Sequence, residues 1–300
     1  MDIGAVIGGG FRIIRDKPFA VAVWACIYML LFAGMMLLMR PIMTAQMQMM
    51  SGGNPQIQAA ALGAMAGRFL LFSLLWIVVY VVLFAAAQRA VLKPERQGFF
   101  YIRLGMDELR FLALTILFLV VFYIAMLVLM LVMGLLIGIL GGATGSVGLA
   151  AGVAIFDFLA IVVFTAWYFV RFGLAFPLTM MREKIVIGEA WRITRGRFWP
   201  LFAASLVVLV IIFVLWMVVS SITSGAYFAE IARSAGNPLA VQKAAQAQMA
   251  RQFELSGTAV LIWIVGGIIG ALTVTLWGGA AATAAQQLTF NPDEIAETFA

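Results

Sequence analysis

The chain has 300 residues, 65% of them hydrophobic and 11% charged, with a formal net charge of +6. At a mean hydropathy of +1.09 it lacks the polar surface that a water-soluble domain of this length needs, which excludes a soluble globular fold. It contains no histidine, which excludes histidine acid–base chemistry and histidine metal ligation.

Taken in chain order, residues 11–19 read FRIIRDKPF and lead into the first apolar run. A Gly-rich start precedes Arg12, Arg15 and Lys17. The run that follows is too long for a cleaved signal, so it is expected to stay as a signal anchor. Runs of about 20 apolar residues, enough to cross a ~30 Å hydrocarbon core as helix, recur along the sequence. They fall at roughly 18–39, 69–87, 111–140, 149–170, 200–222 and 257–285. The predicted fold is all-α, a polytopic membrane bundle of six transmembrane helices in one integral membrane domain, with a short acidic tail at 291–300. Cys26 lies inside the first span and has no second cysteine to pair with. It reads as a small core hydrophobe. After that span, Met43, Met47, Met49 and Met50 offer thioethers that suit Cu(I). The matching segment after the fifth span has only Met249, so a flexible apolar helix face is the expectation and no metal or cofactor is assigned.

Basic residues divide unevenly between the connections. One side carries Arg12, Arg15, Lys17, Arg89, Lys93, Arg96, Arg103, Arg110, Arg182, Lys184, Arg192, Arg195 and Arg197. The other holds Arg40, Arg68, Arg233, Lys243 and Arg251. The positive-inside bias places the first side and both termini in the cytoplasm of a cell with an inner (plasma) membrane. The positive charge then faces anionic lipid headgroups, and nucleic acid is not an expected partner.

The phrase before the first span returns. Phe11-Arg12-Ile13, Ile102-Arg103-Leu104 and Trp191-Arg192-Ile193 precede the first, third and fifth spans, and their arginines are 91 and 89 residues apart. Asn54-Pro55 and Asn237-Pro238 open similar outer segments, Asn as a helix cap and Pro as the first helical residue, so each is expected to hold a helix lying along the outer surface. Between them the 141–148 connection is short and Gly-rich. The expected plan is three helical-hairpin units, about 1–88, 89–181 and 182–290, each entered through a cytoplasmic interfacial amphipathic helix. Gly8–Gly10 and 141–148 lack the Lys-Ser/Thr of a phosphate-binding loop and read as flexible turns.

In 191–200, WRITRGRFWP, Arg192 and Arg195 stand one turn apart among Trp191, Phe198 and Trp199, rings that favour the headgroup zone. A helix of this kind buries its apolar face among acyl chains and holds its arginines near phosphates. Two readings stay open for Arg12, Arg15, Lys17, Arg103, Arg171, Arg192, Arg195, Arg197, Trp191 and Trp199: topology and anchoring alone, or a contact site for anionic lipid, a membrane partner or a second copy.

The stretch Arg171-Phe-Gly-Leu-Ala-Phe-Pro177, followed by Glu183 and by Glu189-Ala-Trp191-Arg-Ile-Thr194-Arg-Gly196-Arg-Phe198-Trp199, resembles the glycerophosphoryl diester phosphodiesterase membrane-domain family. Ala190 stands where related sequences tend to place Ser. The resemblance covers about 30 residues and implies a multi-pass membrane domain. The catalytic barrels fused to some members use metal and histidine, and none is expected here, because the last span ends about fifteen residues before Ala300. The acids are scattered, so an enzyme is not expected.

Three features inside the spans stand out. Asp157 is an acid well within the fourth span, where acids mark ion or proton sites or stay neutral as structural groups. Arg171, beside Trp167 and Tyr168, is expected to snorkel at the cytoplasmic boundary. Gly134, Gly138 and Gly142, and again Gly266 and Gly270, recur at four-residue spacing and predict close helix packing. The function expected is that of a lipid-interacting or scaffold membrane protein; the alternative is a small secondary transporter or channel-like protein using Asp157.

Overall fold

The computed structural model describes residues 1–50, 55–144, 147–233, 237–253 and 256–289. They form helices α1 (Ile3–Asp16), α2 (Pro18–Met50), α3 (Pro55–Leu92), α4 (Met106–Thr144), α5 (Val147–Phe172), α6 (Ala175–Arg182), α7 (Ile187–Arg195), α8 (Phe198–Arg233), α9 (Pro238–Phe253) and α10 (Gly257–Thr289). Among the described residues, six stretches are long and apolar enough to cross a membrane: Pro18–Leu38, Ala66–Leu92, Met106–Ile139, Ala151–Arg182, Phe198–Ser221 and Ala259–Thr289. The chain is a six-span helical membrane protein.

Helix starts follow local chemistry. The Asp2 carboxylate accepts from the Gly4 and Ala5 amides at 2.8 and 3.3 Å and caps α1. Asn237 accepts from the Leu239 amide at 3.1 Å ahead of Pro238, which opens α9 without losing a helical donor. Ser256 accepts from the Ala259 amide at 3.3 Å and so separates α9 from α10. The outer segment of the first unit has no such break. Its Ala/Gln-rich stretch runs unbroken from Pro55 into the span as α3, so among the described residues the separate surface helix is found only in the third unit, as α9.

Helix α10 is the hub, packing on α1, α2, α3 and α8. Small residues let it do so. A Cβ on Gly267 would sit 2.6 Å from the Ala25 carbonyl oxygen, and one on Gly270 would sit 2.8 Å from the Tyr28 ring. A Cβ on Gly266 would meet the Phe32 ring at 3.2 Å. Close packing at Gly266 and Gly270 is therefore present, and Gly267 is the tightest of the three. Gly134 and Gly138 behave differently: nothing lies within 4 Å of either added Cβ, and both face outward from α4. The same spacing thus gives packing only where a partner helix lies opposite. The surroundings of Gly142, the side chains of Met43 to Met50 and the acidic tail lie outside the described residues.

Further corrections concern the membrane-entry segments. Gly8–Gly10 are helical, not a turn. Helix α1 runs antiparallel along the end of α10, from Asp2 bonded to Gln287 to Gly10 against Leu276. Its apolar face, Val6, Gly9, Gly10 and Ile13, is buried against protein, where acyl chains were expected. The segment around Arg103 is no helix. Gly98, Phe100 and Tyr101 have φ of +46°, +52° and +65°, and Phe99 bridges Ile102 in a compact turn. The 141–148 stretch is mostly helical, with α4 reaching Thr144 and α5 starting at Val147. Cys26 is exposed on the outside of α2, so it is no core residue.

Helices α3 to α7 are joined by a chain of rings. Phe84, Phe111, Phe176, Phe118, Phe172 and Trp191 follow one another with centroids 5.2 to 6.4 Å apart. Tilted and edge-to-face pairs at these spacings add specificity to the burial. They fix α6 and α7 to the end of the bundle where the basic residues lie.

Candidate functional site

The turn at 98–102 is held from three sides. The Arg89 guanidinium on α3 is 2% exposed; its Nη1 donates to the Tyr101 carbonyl at 2.5 Å and its Nη2 to the Glu108 carboxylate. Glu108 also accepts the Gly105 amide at 3.0 Å, reaching back from the first turn of α4 to its cap. Trp24 Nε1 donates to the Phe100 carbonyl at 3.1 Å, and the Lys17 ammonium lies 5.7 Å from the centre of the Tyr101 ring. The ends of α1, α3 and α4 are therefore gathered at one point.

The α6–α7 connection joins them through Glu183. Lys93 Nζ stands 2.9 Å and Arg96 Nη1 3.6 Å from its carboxylate. The Lys93 hydrogen bond, followed by the charges of Lys93 and Arg96, holds the Glu183 carboxyl below the usual range. Arg182 pairs with Glu189 at 2.9 Å and Arg110 with Asp107 at 3.0 Å. A cleft of ≈350 Å³ lies within this cluster, lined by Arg89, Arg96, Arg103, Arg110 and the three acids Asp107, Glu108 and Glu183.

The predicted contact residues fall into distinct settings. Arg12, Arg103, Arg192, Arg195 and Arg197 are exposed and have no ion pair among the described residues. Arg15 is exposed but paired with Asp16 at 2.9 Å. Trp199 is 74% and Trp191 39% exposed. Arg171 stands against two aromatic rings. Its guanidinium carbon stands 5.1 Å from the Trp191 ring centre and 5.7 Å from that of Phe198. Nε and Nη1 are buried without a hydrogen-bond partner, which leaves Nη2 as the nitrogen that reaches the surface. Asp157 is half-buried on α5, with Oδ1 buried and unbonded.

An apolar groove of ≈500 Å³ runs between α5 and α8 and is lined also by Trp277 of α10. Ile161, Val162, Phe169, Leu206 and Leu209 form its walls, and Thr165 and Ser205 bring the hydroxyls. A smaller cavity of ≈50 Å³ shares Phe169, Val170, Ser205 and Trp277 with it and extends to Val6 of α1. Asp157 lines none of these clefts.

Sequence reasoning counted Arg89, Lys93 and Arg96 only as topology charges, and it passed over Glu108. The available signal was the acid pair Asp107-Glu108 opening an apolar helix directly after a basic run. The groove had no signal, because its walls look like any lipid-facing surface. Compared with protein-family models, curated proteins and solved structures, the chain matches none.

Proposed function

We propose that the chain is a non-enzymatic protein of the inner (plasma) membrane whose basic end lies in the cytoplasm and holds anionic lipid. The observation that carries this reading is the set of exposed arginines without ion pairs among the described residues, Arg12, Arg103, Arg192, Arg195 and Arg197. They stand on elements that the Lys17–Tyr101, Arg89–Glu108 and Lys93–Glu183 contacts gather at one end. Each cation near an anionic surface contributes on the order of 1 kcal/mol, so the set acts as a firm, salt-sensitive platform. Exposed Phe11, Phe19 and Trp199 beside it suit the membrane interface.

An accessory or scaffold role toward a membrane partner, or a second copy, would use the same surface. The resemblance of 171–199 to the glycerophosphoryl diester phosphodiesterase membrane-domain family supports a membrane role and brings no reaction with it. The transporter alternative needs a polar cavity reaching Asp157, and nothing in the clefts described favours it.

Native mass spectrometry of the full chain extracted from its membrane tests the reading. Replacing Arg12, Arg103, Arg192, Arg195 and Arg197 by Gln is expected to strip co-purifying anionic phospholipid while elution volume and melting stay unchanged. Undiminished anionic lipid in that variant overturns it.

A further inference from the structure

A further cleft, of ≈300 Å³, lies where the end of α1 meets the turn at 98–102. Asp16, Lys17 and Phe19 line it from one side, and Gln97, Phe99 and Phe100 from the other. Tyr101 completes the lining, 3% exposed, with the Lys17 ammonium 5.7 Å from its ring centre. Phe19 and Phe99 are 80% and 68% exposed, and the Phe99 and Phe100 rings meet edge to face with centroids 5.0 Å apart. Phe19 is the second residue of the first span, so the cleft lies at the level where that span leaves the membrane.

The rings are presented against backbone preference. Phe100 and Tyr101 take φ of +52° and +65°, a region that bulky residues rarely enter, and Arg89 and Trp24 hold their carbonyls there. Strain of this kind gathers where a ligand is held.

Charge decides what the cleft accepts. Rings alone would only anchor the chain in the interface. A carboxylate at headgroup level is repelled by lipid phosphates unless a cation covers it. Arg15 covers Asp16 from one side, its Nε 2.9 Å from Oδ1, in an exposed pair of the kind that contributes little. Asp16 Oδ2 has no ion pair or hydrogen bond among the described residues. A ligand ammonium suits that oxygen and the neighbouring rings together. Lys17, the next residue and part of the same lining, offers the opposite charge to a phosphate. A group that carries a phosphate and an ammonium a few bonds apart satisfies both.

We propose that this cleft binds the zwitterionic headgroup of a phospholipid, with its phosphate on Lys17 and its ammonium between Asp16 and the Phe99 and Phe100 rings. The site goes beyond the anionic-lipid reading and rests on the position of the first span. None of the five exposed arginines lines it, so the two readings fail separately.

The experiment uses the full chain in phosphatidylglycerol vesicles doped with phosphatidylethanolamine that carries a diazirine close to its glycerol. Photocrosslinks mapped by mass spectrometry are expected on Phe19 and Gln97. Phosphatidylmethanol with the same diazirine chain keeps the phosphate and lacks the ammonium. It should label these residues about tenfold less, the size of one charge-assisted hydrogen bond. Asp16→Asn should erase that difference by lowering only the phosphatidylethanolamine label. Phe99→Leu removes a ring at an exposed position and should lower the same label about threefold. The variant with Gln at Arg12, Arg103, Arg192, Arg195 and Arg197 should label the cleft as the natural chain does. Added glycerophosphoethanolamine, the same headgroup without acyl chains, should leave the label intact, and loss of label would overturn the lipid as its source. Equal cleft labelling by the two lipids in the natural chain, or a preference that survives both Asp16→Asn and Phe99→Leu, overturns the proposal.

Discussion

Arg89 of α3 and Glu108 of α4 form a buried ion pair, 2% and 5% exposed, and the same guanidinium holds the Tyr101 carbonyl. Two charges taken out of water gain little over apolar residues of the same shape, but either one left alone is costly. Arg89→Leu or Glu108→Leu alone should destabilise the protein by about 3–5 kcal/mol. The double substitution should cost clearly less than the sum of the two. Thermal unfolding in detergent micelles reads this directly, and additive losses would contradict the pairing.

The Lys93–Glu183 bond links α3 to the α6–α7 connection and carries a pH dependence. Because Lys93 and Arg96 lower the folded-state value from 4.5, the unfolded chain binds the proton more readily than the folded one. The stabilisation is thus complete at neutral pH, begins to fall as pH drops through the ordinary carboxylate range, and is gone below the folded-state value. Spin labels near positions 93 and 184 should keep their neutral-pH distance at pH 5 and separate only in stronger acid. In Glu183→Gln the distance should no longer respond to pH.

What the sequence revealed and concealed has a physical basis. The six spans were legible because crossing a membrane demands length and apolarity, and both are local properties. Asn237 as a cap was equally local. The three-fold plan failed at Arg103 because Gly98 and the positive-φ pair Phe100–Tyr101 bend the chain into a turn that Arg89 and Trp24 hold from distant helices. Such a turn is specified by partners far away in sequence, which periodicity cannot see. The buried face of α1 was misjudged for a similar reason. An amphipathic helix looks the same whether lipid or another helix covers it.

Glycine spacing gives the sharpest contrast of this kind. At Gly267 an added methyl would meet the Ala25 carbonyl and the Met29 amide at 2.6 and 2.8 Å, both of them backbone. Gly267→Ala should cost about 1–3 kcal/mol, the usual penalty of overpacking. At Gly134, where nothing lies within 4 Å, the methyl only removes backbone freedom, and Gly134→Ala should be neutral or stabilise by up to about 1 kcal/mol. Equal effects in a melting assay would refute the assignment of α10 as the packing hub.

Orientation is testable with single cysteines in a Cys26→Ala background. A cysteine at Asn237, ahead of α9, should react with a membrane-impermeant maleimide on intact cells. Cysteines at Arg96 or Arg195, at the basic end, should react only after the membrane is opened. The reverse pattern would place the basic end outside and remove the lipid-platform reading with it.

Asp157 decides between the two functional classes. It lies fourteen residues from Arg171 on α5, about 21 Å along the helix, so the two charges cannot neutralise each other. Its Oδ1 is buried and unbonded, a setting in which a neutral side chain of the same size should do as well. Asp157→Asn should therefore leave expression and melting within about 0.5 kcal/mol of the natural chain, as expected where no charge is used. Asp157→Lys brings a longer cation to the same depth and should lower assembled yield, because a lysine at that level costs about 3 kcal/mol on insertion scales. Yield and elution profile of the two variants compare these outcomes. If Asp157→Asn assembles normally but abolishes a measured proton or solute flux in vesicles, the carboxylate is a transport group, and the transporter reading displaces the lipid-binding one.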